Sequence, residues 1–119
     1  RFEEVKSLLR KTMPVARRIL GDSTDTTLRM RWIYAEALYK DPGATLDDVR
    51  EAVTTLEDTE RIARRVLGGA HPLTVEFGRY LQYAQAVLRV REGAVESLRE
   101  AVAEMMPGDA QGKVLAPTA

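Results

Sequence analysis

The chain has 119 residues, a mass of 13.3 kDa, and 18 basic against 18 acidic side chains, for a net charge of zero. That is one domain's worth of chain, able to bury roughly 65% of its unfolded surface without staples, and the balanced charge speaks against a dedicated polyanion binder, so nucleic acid is not an expected partner. The lack of cysteine excludes disulfides and thiolate metal sites, and no apolar run approaches the roughly 18 residues a membrane span needs.

From Phe2 to Leu20 the apolar residues recur at three- and four-residue spacing, which predicts a first helix. Pro14 falls inside it, so a kink or restart is expected near Met13. Arg17 and Arg18 complement the dipole of the last turn, and Gly21 is a natural left-handed stop. Ser23, Thr24 and Asp25 offer cap oxygens for a second, unusually apolar helix over Leu28 to Lys40. Asp41-Pro42-Gly43 ends that helix, and Thr45 with Asp48 forms a capping-box start for a third, running to Leu67 before Gly68. Pro72 then opens a fourth helix carrying Phe77, Tyr80, Leu81, Ala84, Val87 and Leu88. Glu92-Gly93 is expected to break it, leaving a fifth helix from Ala94 to about Met106 with Val95, Leu98, Ala101, Val102 and Met105 on one face. Pro107-Gly108 stops the fifth helix, so residues 1–106 form the helical domain and 107–119 a flexible tail.

The chain is internally repetitive. Ala16-Arg17-Arg18-Ile19-Leu20-Gly21 returns 47 residues later as Ala63-Arg64-Arg65-Val66-Leu67-Gly68. Val49-Arg50-Glu51-Ala52-Val53 returns 49 residues later as Leu98-Arg99-Glu100-Ala101-Val102. A period in the range of about 20 to 50 residues marks stacked helix pairs. The two additional residues fall between Gly68 and Ala84, either in the loop around His71 or at the start of the fourth helix. The expected architecture is all-α, about two and a half antiparallel helix pairs in the order B-A-B-A-B.

The run Ala63-Arg64-Arg65-Val66-Leu67-Gly68-Gly69-Ala70-His71-Pro72-Leu73-Thr74 resembles the inter-repeat junction of kinesin-light-chain-type tetratricopeptide repeats, and Thr27-Leu28-Arg29-Met30-Arg31 looks like the opening of that family's helix A. The resemblance covers most of residues 4–106. It implies an α-solenoid whose concave face, lined by the A helices, grips a peptide or a partner's surface. The family's Asn-Asn clamp on helix A is missing, its positions matching Trp32-Ile33 and either Leu81-Gln82 or Arg79-Tyr80, which favours a more apolar contact. At the first junction Thr24-Asp25 stands where His71-Pro72 stands at the second.

In the family register Arg29, Trp32, Glu36 and Tyr39 form a stripe that Leu81 and Gln85 continue, and these six are the candidate partner-binding residues. The alternative for Trp32 and Tyr39 is packing between helices. His71 reads as a structural turn residue, and the Arg-Arg pairs as partners of helix ends and nearby carboxylates. No phosphate loop, nucleophile elbow or catalytic histidine set is present, so neither catalysis nor a cofactor is expected.

The function expected is a non-enzymatic adaptor or scaffold binding a partner protein through its A-helix face; the alternatives are a permanent linker subunit of a large complex and a helical nucleic-acid binder using the arginine pairs. A repeat stack needs neighbours to cover its end faces, so Val5, Leu9, Val95, Leu98 and Val102 are expected to be partly exposed until the rest of a longer protein, a second copy or a larger assembly covers them. Because the chain opens on Arg1 rather than Met, it reads as a processed product or a piece of something longer; a soluble, cytoplasmic setting is the default, with any targeting segment lying outside it.

Overall fold

Among the described residues the periodicity above is realised as four α-helices: α1 (Phe2–Leu20), α2 (Asp25–Lys40), α3 (Leu46–Leu67) and α4 (Pro72–Met105). They are seen in a computed structural model that describes residues 1–106. There is no strand among the described residues, and no helix among them is long and apolar enough to cross a membrane. The tail expected at 107–119, with the Pro107-Gly108 stop, lies outside the described residues.

Local chemistry sets most of the boundaries. Thr24 caps α2, its hydroxyl accepting the Thr27 N–H at 3.3 Å. Thr45 and Asp48 form a reciprocal capping box on α3, the Thr45 hydroxyl taking the Asp48 N–H at 3.1 Å and the Asp48 carboxylate taking the Thr45 N–H at 3.0 Å. Gly21 and Gly68 end α1 and α3 in nearly the same conformation, φ 92° and ψ 164° against φ 95° and ψ 154°. Each donates its N–H to the carbonyl four residues back, Arg17 or Arg64. Their φ is positive as expected, but ψ is extended, so the stop is not the left-handed helical one.

One expectation is narrowed and one is corrected. Helix α1 runs through Pro14 without a restart. A proline costs a helix interior one donor and a clash, about 3 kcal/mol, and the packing of Leu9 on one side of Pro14 and Met13 next to it into the core outweighs that. The count of five helices falls to four, because α4 continues through Glu92-Gly93. Glycine inside a helix costs only about 1 kcal/mol relative to alanine, and no proline or capping side chain follows Gly93 to complete a turn.

The chain divides into two units, Arg1–Leu88 and Arg89–Ala119. In the first, α2 lies against both α1 and α3. The main core cluster takes Leu9 from α1, Tyr34, Ala35, Leu38 and Tyr39 from α2, Val49, Ala52, Val53 and Leu56 from α3, and Ala84 from α4. A second cluster at the junction joins Leu28, Ala63 and Phe77, with Ile62, Leu67 and Leu73 around them. Leu9 is therefore buried, against the expectation of partial exposure, while Val5 is half-buried in line with it. α1 instead leaves Leu8 and Ile19 exposed. In the second unit Val95 is half-buried and Leu98 and Val102 are exposed, in line with the expectation, and Met105 is exposed as well.

Polar side chains tie α1, α2 and α3 together. Tyr34, buried on α2, donates its hydroxyl proton to Glu51 Oε2 on α3 at 2.6 Å and accepts from Arg10 Nε on α1 at 3.1 Å. Burial, then the Glu51 bond, raises its phenol above the ordinary tyrosine value. Tyr34→Phe is expected to lower stability by about 1 to 2 kcal/mol in urea denaturation, because Arg10 and Glu51 lose a shared partner but can both be rewetted. Lys6 is buried on α1, its ammonium meeting Glu3 at 2.6 Å and Asp41 at 3.3 Å. Asp41 also takes the Gly43 N–H at 2.8 Å, so one carboxylate shapes the α2–α3 turn and anchors α1 to it.

The two copies of the repeated sequence share loop length and the spacing of buried residues. The segments from Gly21 to Asp25 and from Gly68 to Pro72 are equally long, and buried Thr27 and Thr74 stand two residues into the helices that follow. The first large buried side chain then comes at Leu28 in α2 and at Phe77 in α4, 49 positions later, as Ala84 follows Ala35. The two additional residues are thus Val75 and Glu76, in the first turn of α4 rather than in the loop, which makes Leu81-Gln82 the counterpart of Trp32-Ile33.

Candidate functional site

On α2, the stripe Arg29, Trp32, Glu36 and Tyr39 has its members in different environments. The Trp32 ring touches both core clusters and stands edge-on to Phe77, with centroids 6.2 Å apart, and tilted against Tyr80 at 5.1 Å. Its Nε1 has no hydrogen-bond partner among the described residues. Tyr39 is buried, and burial followed by the Glu36 charge raises its phenol pKa strongly. Glu36 is engaged with Lys40 at 2.8 Å, and Arg29, exposed at the helix start, bonds Asp25 at 3.1 Å. Trp32 and Tyr39 are therefore principally packing residues of the first unit.

Three recesses of that unit divide the candidates. Arg29 lines one of about 440 Å³ with Leu67, His71, Pro72 and Leu73. Tyr39 lines another of about 410 Å³ with Lys40, Tyr80 and Tyr83, where the Lys40 ammonium lies 5.8 Å from the Tyr80 ring centre. Leu81 and Gln85 come together in the third, a groove of about 490 Å³ where the end of α3 meets the start of α4.

This third groove has the most defined chemistry. Its α3 side is Glu60 and Arg64, joined by two hydrogen bonds of 2.6 and 3.2 Å to one carboxylate oxygen, which raises the Arg64 pKa. Its α4 side carries Thr74, Val75, Gly78, Arg79, Leu81, Gln82 and Gln85. Gly78 lies beside the Glu60–Arg64 pair, a Cβ built on it standing at an ordinary van der Waals distance of 4.0 Å from Glu60 Oε2. Arg79 is held by Glu76 at 3.5 Å. Each guanidinium is thus balanced by its own carboxylate, and the two glutamine amides add donors and acceptors beside Leu81 and Val75. A nearly neutral polar rim over apolar side chains suits hydrogen bonding to a peptide rather than capture of a polyanion. Gln82, Arg79 and the Glu60–Arg64 pair are absent from the six sequence candidates. Their signal is the three- and four-residue spacing of Val75, Gly78, Gln82 and Gln85 along α4, opposite an ion pair that α3 presents at its own four-residue spacing.

One arginine of each pair also takes a local partner. Arg17 bonds Asp22 at 2.5 Å and Arg64 bonds Glu60, and Arg61, outside the pairs, bonds Asp58 at 2.6 Å. Among the described residues no group of three His, Cys, Asp or Glu side chains is arranged to hold a metal ion.

His71 and Thr74 show what one junction lost. In the first junction the Thr27 hydroxyl pairs with that of Thr24 at 2.9 Å. In the second, His71 replaces the cap threonine, and its Nδ1 takes the Leu73 N–H at 3.1 Å instead. The Thr74 hydroxyl is left buried and without a partner among the described residues. His71→Thr is expected to restore the hydroxyl pair and the cap bond to the third helical N–H, raising stability by about 1 kcal/mol in thermal or urea unfolding.

Comparison of the chain with protein-family models, with curated proteins and with solved structures finds no match.

Proposed function

We propose that this chain is a non-enzymatic, tetratricopeptide-like protein-interaction module that seats a segment of a partner protein in the α3–α4 groove beside Leu81, Gln82 and Gln85. In this reading residues 94–106 are the B helix of the second repeat, drawn into α4 where a separate fifth helix was expected. The observation that carries it is the recurrence of one junction, a helix ended by glycine at φ near 90°, an equally long loop and a capped helix, at Gly21 and again at Gly68. A repeated junction stacks helix pairs and leaves grooves between them, which is how repeat arrays make binding surfaces.

The experiment is affinity capture with the wild-type chain beside a Gln82→Ala/Gln85→Ala variant and an Arg50→Ala control on the exposed side of α3. The partner bound by wild type and control is expected to bind the groove variant about tenfold more weakly, with helicity unchanged. Equal binding by all three would remove the groove from the proposal.

The exposed Leu98, Val102 and Met105 favour a second reading, a built-in subunit of a larger assembly. Native sizing in a gently prepared extract separates the two. A chain that exchanges between fractions is a reversible adaptor, and one that stays wholly within a single large particle is a permanent subunit.

A further inference from the structure

The α2–α3 hairpin is held by side chains that the chain carries again 49 residues later, and the second set is uncovered. On α3, Val49, Val53 and Leu56 are buried in the main core. Their counterparts are Leu98, Val102 and Met105, which are 66%, 55% and 83% exposed. On α2, Tyr34 is only 4% exposed, whereas its counterpart Tyr83 is 61% exposed. The residues of the polar contact recur as well. Tyr34 bonds Glu51 across the hairpin, and the positions 49 residues on are Tyr83 and Glu100. Two complementary faces, one A-like and one B-like, have therefore been retained together with the hydrogen-bonding pair that would join them.

What has changed is the connection. Asp41-Pro42-Gly43-Ala44-Thr45 turns the first hairpin, with the Asp41 carboxylate on the Gly43 N–H and the Thr45–Asp48 box starting α3. The matching stretch is Val90-Arg91-Glu92-Gly93-Ala94, without a proline, and Ala94 and Ser97 stand where Thr45 and Asp48 form the box. It is helical throughout, within α4. Both faces therefore ride on one helix, and a helix cannot cover its own face.

We infer that a second copy of this chain covers them: two copies associate through α4, the 94–105 face of each lying on the Tyr83 face of the other. The exchange repeats between chains the packing that α2 and α3 make within one. It is two-fold symmetric, because each copy offers both faces, and this is the arrangement expected when a hairpin loses its turn and swaps its arm. Tyr83 of one copy donates to Glu100 of the second, as Tyr34 does to Glu51. The inference stands independently of the groove assignment above.

The test uses the whole 119-residue chain. Light scattering across a concentration series is expected to give twice the chain mass. Val102→Glu, at an exposed position, is expected to raise the dimer dissociation constant about tenfold or more with the circular dichroism unchanged, and Leu8→Glu, exposed on α1, to leave it alone. Because the chain has no cysteine, a Tyr83→Cys/Glu100→Cys variant treated with a short bismaleimide reports which faces meet, and tagged and untagged chains are expected to become joined to each other. A mass of one chain at every concentration overturns the inference, as does a dimer indifferent to Val102→Glu. A cross-link that closes within single chains also overturns it, since the faces would then meet in one molecule.

Discussion

Phe77→Ala is expected to cost about 3 to 5 kcal/mol, the range for deleting a large aromatic from a closed core. Phe77 is the largest of the fully buried side chains, and it draws on three helices at once, with Leu28 of α2, Ala63 of α3 and its own α4 around it. Its ring also receives Trp32 edge-on, and such a contact adds about 0.5 to 1.5 kcal/mol beyond the area it buries. The site has little means of collapsing into the space. Ala63 is small and already fully buried, and the helix ends on either side are pinned by Gly68 and the His71 cap. Against the 5 to 15 kcal/mol typical of a domain, the loss takes a large fraction of the total. Phe77→Leu, which keeps most of the volume, is expected to cost less than half as much. Trp32 is the single tryptophan, so its fluorescence in urea reports both the unfolding and the environment of the ring that Phe77 touches. A cost below about 1 kcal/mol for Phe77→Ala would mean that the start of α4 is not docked at this junction.

The features legible in the sequence are those that local chemistry decides. Gly21, Gly68, Thr45 with Asp48, and Pro72 each satisfy or remove particular backbone donors and acceptors within a few residues, so their meaning survives without knowledge of the tertiary fold. The Glu92-Gly93 break belongs to the same vocabulary and fails because glycine alone permits a turn without requiring one. The corresponding turn at Asp41-Pro42-Gly43 has a proline and a following box to enforce it. The site was less legible for a different reason. Periodicity places Trp32 and Tyr39 on a face of α2 but does not say whether that face meets a partner or the chain's own α4, and Tyr80 and Phe77 turn out to occupy the space against Trp32. Leu81 and Gln85 do reach a groove, yet the groove's other wall is an ion pair on α3 that no pattern along α4 could announce. At the ends, the missing A helix before α1 predicts a partly exposed Leu9, but the packing of α1 against α2 buries it.

Gly21→Ala and Gly68→Ala are each expected to destabilise by about 1 to 3 kcal/mol, and the double variant by about the sum. At φ 92° and 95° with ψ 164° and 154°, both residues occupy a region that a Cβ makes essentially inaccessible to L-residues. Nothing lies within 4 Å of a Cβ built at either position, so the cost is one of backbone conformation and not of collision with neighbours. That distinction yields sharper expectations than the alanine losses alone. Asparagine, which substitutes well for glycine in the left-handed helical region, is expected to rescue neither site, because ψ is extended here. D-alanine introduced by peptide ligation at Gly68 is expected to be neutral or stabilising, since its preferred φ is positive and it restricts the unfolded chain. The two sites share no hydrogen-bond partner, Gly21 serving Arg17 and Gly68 serving Arg64, which is the ground for additivity. Equal losses at the two glycines would mean that the junction itself dictates its conformation, as a true structural repeat requires. Unequal ones would place the constraint in what surrounds each, where the first junction has the Thr24–Thr27 hydroxyl pair and the second has lost it.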